Sequence, residues 1–397
     1  MNRFQRAHDG SEQRTTTLEL FYDLVFVFAI TQVSHLLLEH LTWEGAGQAA
    51  LVLLVVWWSW NYTTWVTNEL DPESIVVRLL LIGLMLASFL MAVAIPEAFG
   101  DRALLFAGAY VAIQIGRHTF LTFAAAGPGT VERTRAGRIL IWFLAAGTLW
   151  IAGALADGEA RTLLWLAALA LDYGAPLCTF WVPGLPRVPP SAWELEVAHF
   201  AERFQLFVIL ALGESIVVTG ATASGEPLDA ARLAAFAVAF LGSAAMWWLY
   251  FNAAAVVAQR RLELAENRTN TARDAYTYLH ALIVAGVIVA AVGDELVIAH
   301  PGDVLDGPEV AAIVAGPAIY LLAMVLFRLR MAGTVNRKRL VAALGCVAAA
   351  LLGAPALAVA AIVVAILVAV ITAEVVTGMR RRARGEPSPL ERLATRG

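Results

Sequence analysis

The chain has 397 residues, of which 60% are hydrophobic and only 15% are charged, and its mean hydropathy is +0.71. Soluble proteins carry about 25% charged residues, so this composition excludes a soluble protein and predicts an all-α, polytopic integral membrane protein without a sizeable soluble domain. The charged residues, with a formal net charge of −4, cluster between apolar runs. They therefore flank membrane helices and do not form the basic face that nucleic-acid binding requires.

Apolar windows of about 20 residues, the length that crosses a bilayer core, follow one another along the whole chain. They predict about twelve transmembrane helices, near residues 18–38, 46–66, 75–95, 103–124, 138–156, 161–181, 200–220, 232–258, 276–298, 310–331, 338–354 and 356–377. The last two windows meet at Gly353–Pro355 and could instead form one kinked hairpin. Acidic residues interrupt the first window, which indicates a retained span and not a cleaved signal peptide.

Arginine and lysine are distributed asymmetrically between the two ends of these windows. If the N-terminus is cytoplasmic, 24 of the 28 Lys and Arg residues lie on cytoplasmic segments and three lie in outer loops. The positive-inside rule then predicts an even number of spans in the bacterial cytoplasmic (inner) membrane, with both termini in the cytoplasm. The basic run at residues 380–384 is typical of a stop-transfer anchor that touches anionic lipid.

Two segments about half a chain apart are similar to each other. Residues 19–32 (ELFYDLVFVFAITQ) and 202–215 (ERFQLFVILALGES) both open with Glu-x-Phe and close with small and polar residues. Six spans followed by six, both sets starting in the cytoplasm, predict two parallel repeats related by an axis along the membrane normal. The repeats would occupy residues 1–190 and 191–397. Chance similarity among apolar helices is the alternative.

Ionisable side chains inside the apolar windows are the candidate functional residues, because such a group in hydrocarbon needs a partner, a water-filled cavity or a function. At 100° per residue, the acids of the first span share one face, and the ionisable residues of the seventh span share another. The residues that we predict to form a transport pathway or a buried polar network are Glu19, Asp23, Gln32, His199, Glu202, Arg203, Glu214 and Ser215.

Several of these residues also have a purely structural interpretation. Glu19 and Asp23 lie near a helix N-terminus, where acids are favoured, so capping is the alternative to a place in an ion pathway. Glu202 and Arg203 lie near a cytoplasmic helix entrance, where an ion pair or snorkelling is cheap. Glu214 lies about a dozen residues into its span, where a carboxyl gains nothing from capping, so the pathway hypothesis is favoured there.

Motifs for catalysis and for cofactors do not occur in the sequence. There is no HExxH, GxSxG, P-loop or dinucleotide fingerprint, and the histidines and the two cysteines lack metal-ligand spacing. We therefore expect no enzyme activity, no cofactor and no metal site. His118 and His280 are interpreted as packing or pairing residues, and the tryptophan clusters at 57–60 and 247–248 as interfacial belts or helix packing.

The segment 18–32 (LELFYDLVFVFAITQ) resembles the opening motif of the bacterial low temperature requirement protein A family. A second signature of that family agrees at 199–204 (HFAERF) and 211–216 (ALGESI). Together with the number and spacing of the spans, this resemblance covers nearly the whole chain. The family is named for a cold-growth phenotype, so the resemblance implies a membrane protein but no defined biochemical activity.

The same motif has a more distant similarity to the Phe-Ser-Asp motif of the endolysosomal and bacterial potassium channel family. Phe21 and Asp23 match that motif, with Tyr22 in place of its serine. The similarity implies parallel six-helix repeats whose motif-bearing helices line a pore. The second half departs from the pattern, because Phe204 matches but Leu206 stands where an aspartate would be needed.

The leading hypothesis is therefore a transporter or channel for a small ion or polar solute, with the first and seventh spans lining the route. The alternative is a non-transport membrane scaffold or a stress- or cold-response protein, in which buried acids only fix pairs of helices. The expected partners are the lipid bilayer and the transported ion or solute, without nucleic acid. The sequence leaves the oligomeric state open, with a homodimer as one option.

Overall fold

The computed structural model describes residues 4, 14–189, 193, 195–225 and 229–394. The described residues form fifteen α-helices, with no β-strand among them. Three arginines that contribute to the predicted orientation, Arg3, Arg6 and Arg396, lie outside this part of the chain. The predicted repeat boundary at 190/191 also falls outside it.

Every predicted window overlaps at least one helix. The helices are α1 Thr17–Glu39, α2 Trp43–Thr67, α3 Ile75–Ala94, α4 Ala103–Phe120, α5 Val131–Leu155, α6 Gly158–Gly174, α7 Val197–Gly225, α8 Ala230–Phe251, α9 Ala254–Glu263, α10 Arg268–Ala272, α11 Leu279–Ala299, α12 Gly307–Ala332, α13 Arg337–Ala349, α14 Ala356–Ala383 and α15 Pro389–Ala394. Short π-helical segments extend α4 to residue 125 and join α10 to α11.

Nine helical segments in the described residues are long and apolar enough to cross a bilayer. They are residues 17–39, 75–97, 103–125, 131–155, 197–225, 230–263, 268–299, 307–332 and 356–383. Helices α6 and α13 are shorter, with 17 and 13 residues, and the second half of α2 is rich in Trp, Ser, Asn and Thr. The protein is thus an all-α, multi-pass membrane protein, and the count of twelve spans rests on the sequence alone.

Local sequence explains several helix ends. The Thr130 side chain accepts a hydrogen bond from the Arg133 backbone N–H and caps α5, and Asp229 caps α8 in the same way through the N–H of Arg232. Gly353 adopts φ +57°, a left-handed conformation that glycine tolerates, directly after the short 3-10 turn Ala350–Leu352 that follows α13. The turn there separates α13 from α14, so the two elements form a helical hairpin.

The chain divides into two compact units. Unit 1 comprises Met1–Leu36 and Gln48–Arg203, and unit 2 comprises Leu37–Gly47 and Phe204–Gly397. The division falls inside α7 and not before it, so the first two turns of this helix belong to unit 1. The side chains described below explain this placement, because they bond to α1 and α2.

Tryptophans fill much of the interior of unit 1. Five of them, at positions 57, 58, 60, 150 and 165, are at most 1% exposed. Three of these indole N–H groups have acceptors inside the unit: Trp165 donates to the backbone carbonyl of Trp150, Trp150 donates to Asp172, and Trp60 donates to Asp23. The cluster at 57–60 therefore packs helices together. Trp247 and Trp248 of unit 2 are instead 46% and 42% exposed.

Unit 2 contains a pair of helices whose backbones touch, α11 and α12. A methyl group added at Gly316 would lie 2.3 Å from the backbone nitrogen of Ala290, and one at Gly286 would lie 2.6 Å from that of Tyr320. Small residues permit such close approach, and in membranes the resulting van der Waals contact is a main source of helix association. Glycine at these positions is therefore a packing requirement.

Candidate functional site

Four ionisable side chains form one buried network in unit 1. Glu19 and Asp23 come from α1, and His199 and Arg203 come from the first two turns of α7; each is 0% exposed. Within each helix the two residues are four positions apart, so they lie on one face, one turn above the other. We call these four residues the buried charge network.

Arg203 bridges the two acids. Its Nη2 donates to Oδ1 of Asp23 at 2.6 Å, and its Nη1 lies 3.1 Å from Oε1 of Glu19. His199 Nε2 is 2.9 Å from the same Glu19 oxygen. The pairs join the third residue of α1 to the third of α7, and the seventh to the seventh. The first turns of the two helices therefore run side by side in the same direction.

Helix α2 determines which nitrogen of His199 carries the proton. Asn68, directly after α2, accepts a hydrogen bond from the Glu196 N–H through Oδ1 at 3.0 Å. Its Nδ2 therefore donates, both to the Glu196 carbonyl and to His199 Nδ1, each at 3.0 Å. Since Nδ1 accepts, the ring proton is on Nε2, which donates it to Glu19.

Asp23 is incompletely bonded. Its Oδ1 accepts from Arg203 and also from the indole N–H of Trp60 at 2.7 Å. Its other oxygen, Oδ2, is buried and has no hydrogen-bond partner within the described residues, and neither has Arg203 Nε. Buried polar atoms are nearly always bonded. Asp23 Oδ2 is thus the place in the network where a proton or a small cation would find an acceptor.

Glu19 caps its helix and also belongs to the buried charge network; its place in an ion pathway stays a prediction. Its Oε2 accepts from the backbone N–H and the hydroxyl of Thr16, both at 2.9 Å, while Thr16 Oγ1 lies 3.4 Å from the Glu19 N–H. This is a capping box that starts α1. Because capping uses Oε2, the other oxygen remains available to His199 and Arg203. Asp23 accepts from side chains only and does not cap the helix.

Glu202 and Arg203 do not pair with each other among the described residues. Glu202 is half-buried, and its Oε2 accepts from the backbone N–H and the hydroxyl of Thr15 at 2.9 and 3.0 Å. Arg203 turns inward to α1, because neighbouring residues on a helix face different directions. Arg203 therefore does not snorkel: its side chain is fully buried, and its ion pairs are with Glu19 and Asp23.

The remaining predicted site residues lie farther along the two helices. Gln32 is half-buried in α1, about 14 Å along the helix from Asp23 at 1.5 Å per residue. In unit 2, Glu214 is 6% exposed and Ser215 is fully buried. The hydroxyl of Ser215 lies 3.1 Å from that of Ser243, which ties α7 to α8. A common route for these residues and the buried charge network stays a prediction.

Three residues that the sequence did not place in the site carry polar contacts in unit 1. Trp60 of α2 and Asn68, directly after α2, bond to the buried charge network. Asp172 of α6 is 2% exposed and accepts from the Tyr110 hydroxyl at 2.7 Å and from the Trp150 indole at 2.9 Å. An acid inside an apolar window was a sufficient signal for Asp172. Asn68 lies just beyond the predicted window 46–66, so the sequence gave no signal for its role.

A cavity of about 420 Å³ opens beside the start of α1 in unit 1. It is lined by Thr16, Thr17, Leu18, Phe21, Pro72, Glu73 and Arg78. Thr16 connects it to the buried charge network, since the same residue bonds to Glu19. Within the described residues, no group of three or more His, Cys, Asp or Glu side chains is arranged to hold a metal ion.

Comparison with known proteins agrees with the two sequence signatures. The sequence profile of the bacterial low temperature requirement A protein (LtrA) matches residues 14–374. A protein of Rhizobium meliloti (strain 1021), described as uncharacterized protein RA0937, is 36% identical over 316 residues, which cover 80% of this chain and 77% of that protein. No solved structure matches. With a profile match over most of its length, the chain belongs to the bacterial low temperature requirement A (LtrA) family.

Proposed function

We propose that this LtrA-family chain is not an enzyme but a transporter or channel for a small ion or polar solute, with α1 and α7 lining the route. The observation that carries this proposal is the buried charge network. Its four ionisable side chains are fully buried in two helices of membrane-spanning length and composition. Ionisable groups in such helices are costly, and in membrane proteins they mark ion and substrate pathways.

The proposed architecture has twelve spans in two parallel repeats in the bacterial inner membrane, with both termini in the cytoplasm. Reciprocal contacts support the repeat. Glu19 bonds to His199, three residues before Glu202, and Glu202 bonds to Thr15, four residues before Glu19. An exact two-fold axis would make each contact twice at the same spacing, and these two contacts differ by one position.

A structural role alone would not require these charges. Buried ion pairs contribute little net stability compared with apolar side chains of similar volume. A network that serves only stability would also be expected to satisfy all of its atoms, yet Asp23 Oδ2 has no donor in the described residues. We assign to Asp23 the contact with the transported species, and to the cavity beside Thr16 an approach from one end of α1.

The second candidate function is a non-transport membrane scaffold or a stress- or cold-response protein. It is favoured by the bonding of Glu19 and His199, since both carboxylate oxygens and both ring nitrogens have partners. In that case the network would only lock α1, α2 and α7 together. The lipid bilayer would then be the main partner.

Ion flux through purified full-length protein in liposomes separates the two functions. Gradients of K⁺, Na⁺, H⁺ and Cl⁻ are applied to wild type, Asp23→Asn and Glu214→Gln, which remove a charge and keep the side-chain shape. Glu386→Gln, in the exposed tail after α14, is the matched control. We expect ion-selective flux in wild type and Glu386→Gln, and a loss on the order of tenfold or more in the other two, because a pathway acid contacts the moving species.

Two results would refute the transport function. One, which refutes the ion branch of the proposal, is wild-type flux no greater than that of empty liposomes for all four ions. The other is unchanged flux in folded Asp23→Asn and Glu214→Gln proteins. If, in addition, Asp23→Asn lowers thermal stability while flux is absent in every protein, the scaffold function is supported instead.

A further inference from the structure

A second buried polar cluster of unit 1 surrounds Arg117 of α4, which is 0% exposed. Its Nη1 donates to Thr63 Oγ1 at 2.8 Å and to the Ser59 carbonyl at 3.2 Å, both in α2. Its Nη2 donates to Gln114 Oε1, one turn earlier in α4. The guanidinium carbon is 5.5 Å from the centre of the Tyr62 ring. All of these neighbours are uncharged.

No carboxylate pairs with Arg117 in the part of the chain that the structure describes. Its electrostatic neighbours are the tyrosines Tyr22, Tyr62 and Tyr110. A buried cation without a counter-charge is costly, all the more in a membrane-spanning helix. The contact with the Tyr62 ring offsets only part of this cost. The charge of Arg117 therefore calls for an anion that the described side chains do not supply.

Unmatched hydrogen-bond donors lie around the same charge. Arg117 Nε, Gln114 Nε2 and Ser59 Oγ are buried and have no hydrogen-bond partner among the described residues. The first two atoms are donors only, and a serine hydroxyl can donate. All three groups can therefore donate a hydrogen bond to one common acceptor.

The other deeply buried arginines of unit 1 are matched in charge or in hydrogen bonds. Arg138 is 1% exposed, and its Nε, Nη1 and Nη2 donate to three backbone carbonyls of residues 179–186 at 2.7, 3.1 and 3.0 Å. Arg203 faces two carboxylates. Arg117 differs from both. Among the described residues it has no carboxylate, as Arg203 has, and no acceptor for its Nε, as Arg138 has.

We propose that Arg117, Gln114 and Ser59 form a binding site for a small monovalent anion of about the size of chloride. The anion would accept from Arg117 Nε–H, with the Gln114 amide and the Ser59 hydroxyl completing its shell. A water molecule would satisfy the donors but leave the charge uncompensated, whereas an anion does both. The closed surroundings favour a monatomic ion over a polyatomic one. Anion binding here does not depend on a transport function.

Thermal unfolding of the detergent-purified full-length protein, followed by tryptophan fluorescence, tests this site. Sodium chloride or bromide replaces sodium gluconate or sulfate at constant ionic strength. A ligand that binds only the folded state raises Tm until its site is saturated. We expect chloride and bromide to raise the wild-type Tm by about 2–4 °C in a saturable way. Gluconate should not do so, and any stabilisation by sulfate should rise with concentration without saturating, as for an excluded salt.

Two variants and a matched control locate the effect. Arg117→Gln removes the charge and should abolish the dependence of Tm on chloride. Arg138→Gln is the matched control, because it removes a buried arginine of the same unit whose donors are all bonded; it should lower Tm but keep the chloride dependence. Ser59→Ala removes one donor and should weaken the apparent chloride affinity on the order of tenfold.

A wild-type Tm that does not respond to chloride overturns the proposal. So does equal chloride dependence in wild type and Arg117→Gln, or a loss of that dependence in Arg138→Gln as well. Should Arg117→Gln fail to fold, Ser59→Ala decides, and an unchanged chloride affinity in that variant refutes the site.

Discussion

Replacing Arg203 by methionine tests whether the buried charge network holds the start of α7 to α1. Methionine keeps an unbranched stem but removes the cation that bridges Glu19 and Asp23, both 0% exposed. Breaking a buried ion pair by removing one partner costs about 3–5 kcal/mol, because the remaining charge stays buried and uncompensated. With two such carboxylates, we expect the free energy of unfolding to fall by at least about 3–5 kcal/mol.

Asp23→Asn added to Arg203→Met should restore part of that loss, since it removes one of the two uncompensated charges while an amide oxygen still accepts from Trp60. The two substitutions are therefore expected to be non-additive by about 1–3 kcal/mol. Arg102→Met is the matched control in the same unit. Its ion pair with Glu97, at 3.4 Å, is about half exposed, so the change should be below about 1 kcal/mol.

Reversible unfolding in mixed micelles with increasing sodium dodecyl sulfate, followed by tryptophan fluorescence, measures these differences. The slope of the transition must be compared among the variants, because a change in slope reports a change in the unfolded or folded ensemble. Equal losses in Arg203→Met and Arg102→Met would refute the structural importance of the network. Strict additivity of Arg203→Met and Asp23→Asn would refute the coupling of the two charges.

Two further predictions concern packing and topology. Gly316→Ala should lower stability by about 1–3 kcal/mol, because its methyl group would collide with the α11 backbone. Gly378→Ala, in open space on α14, should be neutral or stabilising by up to about 1 kcal/mol; equal thermal shifts would contradict this account. In a Cys178→Ala background, Asp303→Cys should react with an impermeant maleimide in intact cells and Arg384→Cys only after lysis. The opposite pattern would contradict cytoplasmic termini.

The helices could be predicted from the sequence because each apolar window is a local property of about 20 residues. The number of spans was harder to predict. Helix α13, for example, has only 13 residues, fewer than the about 20 that cross a bilayer core. Glu19 and Asp23 could be placed on one face of α1 by the same local periodicity. Their pairing with His199 and Arg203 could not, because it depends on contact between residues 180 positions apart.

Other features of the site escaped sequence reasoning for chemical reasons. Trp60 belongs to an aromatic cluster that is typical of packing, and only the fold shows that its indole N–H binds a carboxylate. Asn68 lies beyond its apolar window, where polar residues are ordinary. The sequence placed Arg203 near a helix entrance, where a long side chain can reach water. In the structure the Arg203 side chain is fully buried, because it pairs with the two acids of α1.

The pairing of α1 with α7 has a consequence for biosynthesis. Asp23 is made 180 residues before its cation, Arg203. At a synthesis rate of about 5–20 residues per second, the acids of the first helix wait on the order of 10–40 s in the membrane or the insertion machinery before they are neutralised. A nascent chain that stops at residue 190 lacks Arg203, the cation that pairs with both acids. The first unit can mature only after the ribosome has begun to translate the second half of the gene.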